Sequence, residues 1–222
     1  LVQVVAPGNV SLVRQGGAGP ISLAGSLTVS DGTLDFGAQT VTVAEDLLTT
    51  VTGRLRMVDP AGSLSVRNAI FGGASTAGLL LAGQLSVSGT LSQQNTTSDS
   101  SFAASPGHVL RLVGAAPQDV SFATPGASAV GRLDIAATGN PAVLLAANIV
   151  GGGNVRGVAG SGVVAASVAG SRLLLQGTAL RDPSVTLKRW QVPVTVQAAL
   201  AQLPDTVGAS VTLAAPVTLG GP

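Results

Sequence analysis

Apolar residues come in short pairs with period two. Leu27/Val29, Leu34/Phe36 and Val41/Val43 enclose Thr28, Asp35 and Thr42, and each pair starts seven residues after the previous one. Such alternation turns one edge of an extended segment inward and the other toward water, so each pair predicts a short half-buried strand. Turn-forming clusters punctuate the strands at Ser30–Gly32, Asp59–Gly62, Pro106–Gly107, Pro125–Gly126 and Gly139–Pro141. The best helix candidate is Gln197–Leu203, stopped by Pro204.

The strands recur. Gly62–Val66 (Gly-Ser-Leu-Ser-Val) is followed by its near copy Gly83–Val87 (Gly-Gln-Leu-Ser-Val), and Gly25–Val29 (Gly-Ser-Leu-Thr-Val) looks like both. The offset from Gly62 to Gly83 also relates Gly32–Leu34 to Gly53–Leu55, Phe36 to Met57 and Ile70 to Leu91. Gly131–Ile135 and Gly170–Leu174 are separated by close to two such periods. Three short strands per period of about 21 residues predict an all-β solenoid of about eight to ten coils. Its inward positions are Leu27, Val29, Leu34, Phe36, Val41, Val43, Leu55, Met57, Leu64, Val66, Leu85, Val87, Leu133 and Ile135. The expected division is an N-terminal strand or cap with a Gly-rich joint over 1–20 and a solenoid over 21–190. A C-terminal cap over 191–222 would hold the short helix and terminal strands.

Composition fits a narrow stacked interior. Hydrophobic residues are 45% of the chain, yet aromatic residues are only 2%, with four Phe, one Trp and no Tyr. Coils stack about 4.8 Å apart, so inward positions become columns of like residues, and aliphatic side chains repeat at that spacing more easily than aromatic ones. Charged residues are 9%, well below the quarter or so usual in soluble domains. Eleven Lys+Arg against ten Asp+Glu leave no strong field, so a nucleic-acid partner is not expected.

The motifs Gly25–Val29, Ser30–Phe36 (Ser-Asp-Gly-Thr-Leu-Asp-Phe), Gln39–Val43 and Gly83–Leu91 resemble the right-handed parallel β-helix repeats of bacterial cell-surface and secreted proteins. Gly107–Gly114, Gln118–Phe122 and Gly131–Ile135 resemble the same arrays, and together these stretches span about two thirds of the chain. The resemblance implies an extracellular or cell-surface location. It does not choose an activity, because the fold carries adhesins, filaments and lyases alike.

Catalytic chemistry has little to stand on. The absence of Cys removes thiolate metal sites, cysteine catalysis and disulfides. His108, the one His, sits beside Pro106-Gly107 and reads as a turn residue, and no metal site can be built from one His. Gly73–Ala77 lacks the second Gly of a nucleophile elbow. Gly151–Arg156 has Arg156 where a dinucleotide fingerprint needs Gly, so it reads as a turn. Asp119, Asp134 and Arg132 are the best set for a polysaccharide-degrading site, but Asp119 is separated from the other two by less than one coil. Trp190 beside Lys188-Arg189 reads as a cover on the end of a core. The Thr-rich sites at Thr40–Thr42, Thr49–Thr52 and Thr96–Thr97 are too irregular for a flat ice-binding ladder. Asn9–Ser11 and Asn95–Thr97 match the N-glycosylation sequon. No cofactor, metal or enzymatic activity is expected.

The chain ends point elsewhere. Residues 1–13 and 206–222 carry no charge. Val2, Val4 and Val5 at one end, with Val211, Leu213, Val217 and Leu219 at the other, are apolar and β-prone. The usual protection of a sheet edge is charge, which is missing here, so these residues are candidates for end-to-end assembly. Pro7, Pro216 and Pro222 oppose this by removing ladder donors. No apolar run approaches the ~20 residues of a membrane span, and no transmembrane segment is expected. Leu1 is not an initiator Met and no leader-like segment follows, so a processed form or fragment is expected. The function expected is a non-enzymatic surface or filament subunit whose partners are copies of itself or other surface proteins. The alternatives are a stalk or passenger segment of an adhesin that binds a surface or polysaccharide, and, behind it, a polysaccharide-degrading β-helix enzyme.

Overall fold

The computed structural model describes residues 2–11, 19–116, 118–124 and 127–135, and beyond them the strand segments between 143 and 219. In chain order the strands are β1 (Val2–Ser11), β2 (Ile21–Leu23), β3 (Leu27–Asp35), β4 (Thr40–Thr49), β5 (Arg54–Arg56), β6 (Ser63–Phe71), β7 (Gln84–Val87), β8 (Leu91–Gln93), β9 (Val109–Leu112), β10 (Gln118–Phe122) and β11 (Arg132–Ile135). There follow β12 (Val143–Leu145), β13 (Ile149–Gly151), β14 (Val155–Gly157), β15 (Val163–Ala166), β16 (Leu173–Leu175), β17 (Thr178–Ala179), β18 (Arg189–Gln191), β19 (Val194–Val196), β20 (Leu200–Ala201), β21 (Val211–Leu213) and β22 (Thr218–Leu219).

Pairing is parallel throughout the described strands, and paired strands come from successive coils. This is a β-solenoid with three walls. The first wall runs through Val2–Val4, Leu27–Val29, Leu47–Thr49, Ala69–Phe71, Leu91–Gln93 and Val120–Phe122. It continues through β12, β15 and β18. The second stacks Asn9–Ser11, Thr33–Asp35 and Arg54–Arg56, then continues as single bridges from Met57 to Leu80 to Ala104 and from Ala103 to Ala129. The third stacks Ile21–Leu23, Val41–Val43, Leu64–Val66, Leu85–Val87, Leu110–Leu112, Leu133–Ile135 and Val155–Gly157. Farther along, β13, β16, β19 and β21 form one parallel sheet, and β17, β20 and β22 another.

The core lies inside these walls. All the inward positions expected up to Leu133 are buried, at 4% exposure or less. Ile135 lies in β11, and its side chain is outside the described residues. Aliphatic columns result, such as Val41–Leu64–Leu85–Leu110–Leu133 on the third wall. Each column is a continuous hydrophobic contact, so burial holds coil to coil as much as wall to wall.

Polar ties at the corners and on the outer faces repeat the coil spacing. Asp35 forms an ion pair with Arg56 one coil on, and Asp31 accepts a hydrogen bond from Thr52. Asn68 donates to Asp46, and its own Oδ1 accepts from the Thr90 amide (2.8 Å each). These groups are only partly buried and remain in contact with solvent, so the columns rather than the ion pairs dominate stability.

Four sequence expectations are corrected. Gly25–Val29 resembles Gly62–Val66, but Leu27 and Val29 stand in the first wall while Leu64 and Val66 stand in the third. Ile70 pairs with Ser92, and it is Ala69 that meets Leu91, because the first wall's step between coils is longer here than the repeat read from sequence. Leu133 pairs with Val155, whereas Leu173 and Leu174 pair with Ile149 and Val150 in a different sheet, so the likeness of Gly131–Ile135 to Gly170–Leu174 is not a stacking relation. The helix expected over Gln197–Leu203 is replaced at Leu200–Ala201 by β20, in register with β17 and β22. Ladder pairing overrides a weak local propensity of so few residues.

Candidate functional site

The candidate catalytic set is not assembled. Asp119 is exposed on β10 in the first wall, in register with Leu144. Arg132 and Asp134 belong to β11 in the third wall, in register with Val109 and Arg111. The two acidic positions therefore stand on different walls. Arg156 lies in β14 in register with Asp134, so that part of the Gly151–Arg156 segment is strand rather than turn. Trp190 lies in β18, in register with Val164. Thr42 is exposed, Thr49 is buried with its hydroxyl accepting from the Gly73 amide (3.3 Å), and Thr52 is tied to Asp31, so the Thr residues form no common face. Among the described residues, no group of three or more His, Cys, Asp or Glu could hold a metal, and no helix is long and apolar enough to cross a membrane.

His108 ends the turn Ser105–His108, with its amide donating to the Ser105 carbonyl (2.9 Å). Its ring is fully buried. Nδ1 lies 2.8 Å from the Ala82 carbonyl oxygen of the preceding coil, while Nε2 is sealed from solvent and has no hydrogen-bond partner. Burial pushes its pKa below the usual value, against the opposing pull of the Ala82 hydrogen bond. The turn assignment made from sequence holds for its backbone. Its depth in the core had no local signal.

Two other buried polar side chains also escaped the sequence reading. Gln93 donates to the carbonyls of Gln94 (2.9 Å) and Asp99 (3.2 Å) and accepts from the Thr124 amide (3.0 Å). Gln118 donates to the carbonyls of Val87 (2.9 Å) and Gly89 (2.8 Å) and accepts from the Gly114 amide (2.8 Å). Each satisfies backbone groups where a coil carries extra residues. The available clue was Gln93 two residues after Leu91, at an inward position.

The first coil is the other distinctive surface. Val4, Val10, Ile21 and Leu23 begin the inward columns of the three walls, yet they are only partly buried. One coil later, Leu27, Val29, Leu34 and Val41 are wholly buried. Among the described residues the core is thus fully buried from the second coil onward and only partly buried at the first. Val2 (38%) and Val5 (64%) are exposed beside it. Among the described residues β1 pairs with β3 alone, leaving one backbone edge open. Pairing slips on either side of Val5, at the corner holding Pro7 and the positive-φ Gly8. At the other end, β21 pairs with β19 and β22 with β20, and Thr212 is exposed. The side chains of Val211, Leu213 and Leu219, and all of Val217, lie outside the described residues.

Comparison with known proteins found no matching family model, no similar curated protein and no similar solved structure.

Proposed function

We propose that the chain is a non-enzymatic structural protein, a surface or filament subunit that extends by stacking its open first coil on the last coil of another copy. The observation that carries this reading is the first coil, where Val4, Val10, Ile21 and Leu23 are only partly buried and β1 pairs, among the described residues, with β3 alone. Another coil of the same chain has matching parallel strands and aliphatic columns. No charge in residues 1–13 or 206–222 would repel it. Contact between unlike ends does not close on itself, so the product is a filament rather than a dimer. The separation of Asp119 from Asp134, and the burial of His108 with no hydrogen-bond partner at Nε2, support a role without catalysis. An extracellular, bacterial cell-surface setting belongs to the same proposal and rests on the repeat resemblance.

The test is negative-stain microscopy and light scattering of the purified chain beside a deletion of residues 1–15. Fibres from the full chain and dispersed particles from the deletion are expected. A strictly monomeric full chain at high concentration, or equal assembly by the deletion, overturns the stacking mechanism and favours a monomeric adhesin stalk or passenger segment.

A further inference from the structure

His108 joins three successive coils. Its ring hydrogen-bonds to Ala82 in the coil before, its amide closes the turn on Ser105, and its carbonyl accepts from the Arg132 amide in the coil after (2.8 Å). The next amide, Val109, donates to Gly83 (2.9 Å). The ring therefore sits where the third wall begins its rungs between β7, β9 and β11. With Nδ1–H given to Ala82, the neutral ring leaves a lone pair at Nε2, which buries at modest cost. The protonated ring carries a second N–H and a full charge at that same sealed atom.

Among the described side chains, none offers that charge a counterpart. The Leu79–Gly83 turn and β7 contain no ionisable side chain, and neither does Phe102–Gly107. β9 contributes the cation Arg111, and β11 contributes Arg132 and, in register with Arg111, Asp134. One coil further back is Asp59, whose carboxylate accepts from the Ala61 amide (2.8 Å). Among the described side chains no carboxylate bonds the His108 ring.

We propose that His108 is an acid-sensitive pin, which holds the Ala82, Ser105–His108 and Arg132 corner closed while neutral and releases it locally when protonated. Release exposes Nε2 to water and breaks the first rungs on both sides of β9, so the solenoid loosens in its middle rather than at its ends. This device is independent of end-to-end stacking. The sign follows from burial: the folded ring takes up a proton less readily than the open one, so stability is complete above the open-state value near 6.5 and declines as pH falls below it.

The experiment is hydrogen exchange, corrected for intrinsic rates, at the Val109 and Arg132 amides from pH 7.5 to 5, with the Thr50 amide, which donates to the Val29 carbonyl (3.0 Å), as a distant control. The opening constant at the first two is expected to rise about tenfold per pH unit below about 6.5, until the folded ring itself titrates. The control should change far less. In His108→Asn, whose amide can still donate to Ala82 but cannot titrate, the dependence should vanish. Opening that ignores pH in the parent chain, or the same dependence in His108→Asn, overturns the proposal. If His108→Asn does not fold, an NMR titration of the parent imidazole decides. A ring that titrates near 6.5 while the Val109 and Arg132 amides stay protected refutes the pin. One that stays neutral below pH 6 until those amides open supports it.

Discussion

The ring of Phe102 lies 4.8 Å from that of Phe71, centroid to centroid, in the layer where the wall itself supplies Gln93 instead of an apolar residue. Phe122 lies 6.0 Å beyond Phe102, so one aromatic side chain borrowed from a loop completes a stack that crosses three coils. Gln93, displaced from that role, holds the loop by its backbone. Phe102→Ala should therefore cost about 3–5 kcal/mol, the range for a wholly buried Phe. Denaturant unfolding would measure it, and a loss below about 1 kcal/mol would show that the stack is ornamental.

Leu64 sits in mid-column between Val41 and Leu85 and is fully buried. Leu64→Asp places a charge there without a partner and should destabilise by about 3–5 kcal/mol or prevent folding. The far-UV circular dichroism signal and its thermal midpoint report the outcome. Unchanged stability would mean that Leu64 does not face the core.

Gly73 lies so close to the Gly53 carbonyl that an added Cβ would overlap it. Gly73→Ala should cost about 1–3 kcal/mol through forced separation of two coils. Gly37 gives a contrast, since its φ is +51 but nothing lies within 4 Å of an added Cβ. Gly37→Ala should lose about 1–2 kcal/mol from backbone strain alone. Equal unfolding slopes for both variants, with Gly73→Ala milder than Gly37→Ala, would contradict the close-packing account.

Val51 is a non-glycine residue in the left-handed region, at φ +52, on an exposed turn closed by the Gly53 amide and the Thr50 carbonyl (2.8 Å). A β-branched residue is costly there. Val51→Asn relieves the strain and should add about 1 kcal/mol, read as a rise of roughly 2–4 °C in Tm for a chain of this size. A fall in Tm would show that the Val51 side chain has a packing role its exposure hides.

The walls were legible because alternation is a local property. Leu27/Val29, Leu34/Phe36 and Val41/Val43 each announced a strand, and their seven-residue spacing corresponds to three different walls. Which wall a strand joins was less legible. Gly25–Val29 and Gly62–Val66 have nearly one chemistry because every wall asks for the same small, apolar, small sequence, so likeness in sequence does not imply stacking. The offset error at Ile70 arose because the first wall steps from Ala69 to Leu91, one position longer than the third wall's step from Leu64 to Leu85. The half-buried state of Val4 and Ile21 was not legible either, because it depends on which residues lie above them. The buried His108, Gln93 and Gln118 were hidden because most of their partners are backbone groups, in nearby loops or in other coils, and no residue type encodes those.

The loop between Gln93 and Phe102 has one more consequence. The run from Leu91 to Ala104 is longer than the run from Ala69 to Leu80 in the coil before, yet Ala69–Leu91 and Leu80–Ala104 keep their parallel pairing. Such a scaffold can lengthen at a corner while its walls stay as they are, provided that one side chain anchors the new peptide and another fills the hole beneath it. Foreign sequence grafted between Gln94 and Ser100 would therefore ride outside the stack, which makes this corner the natural point of growth for a protein otherwise built from repetition.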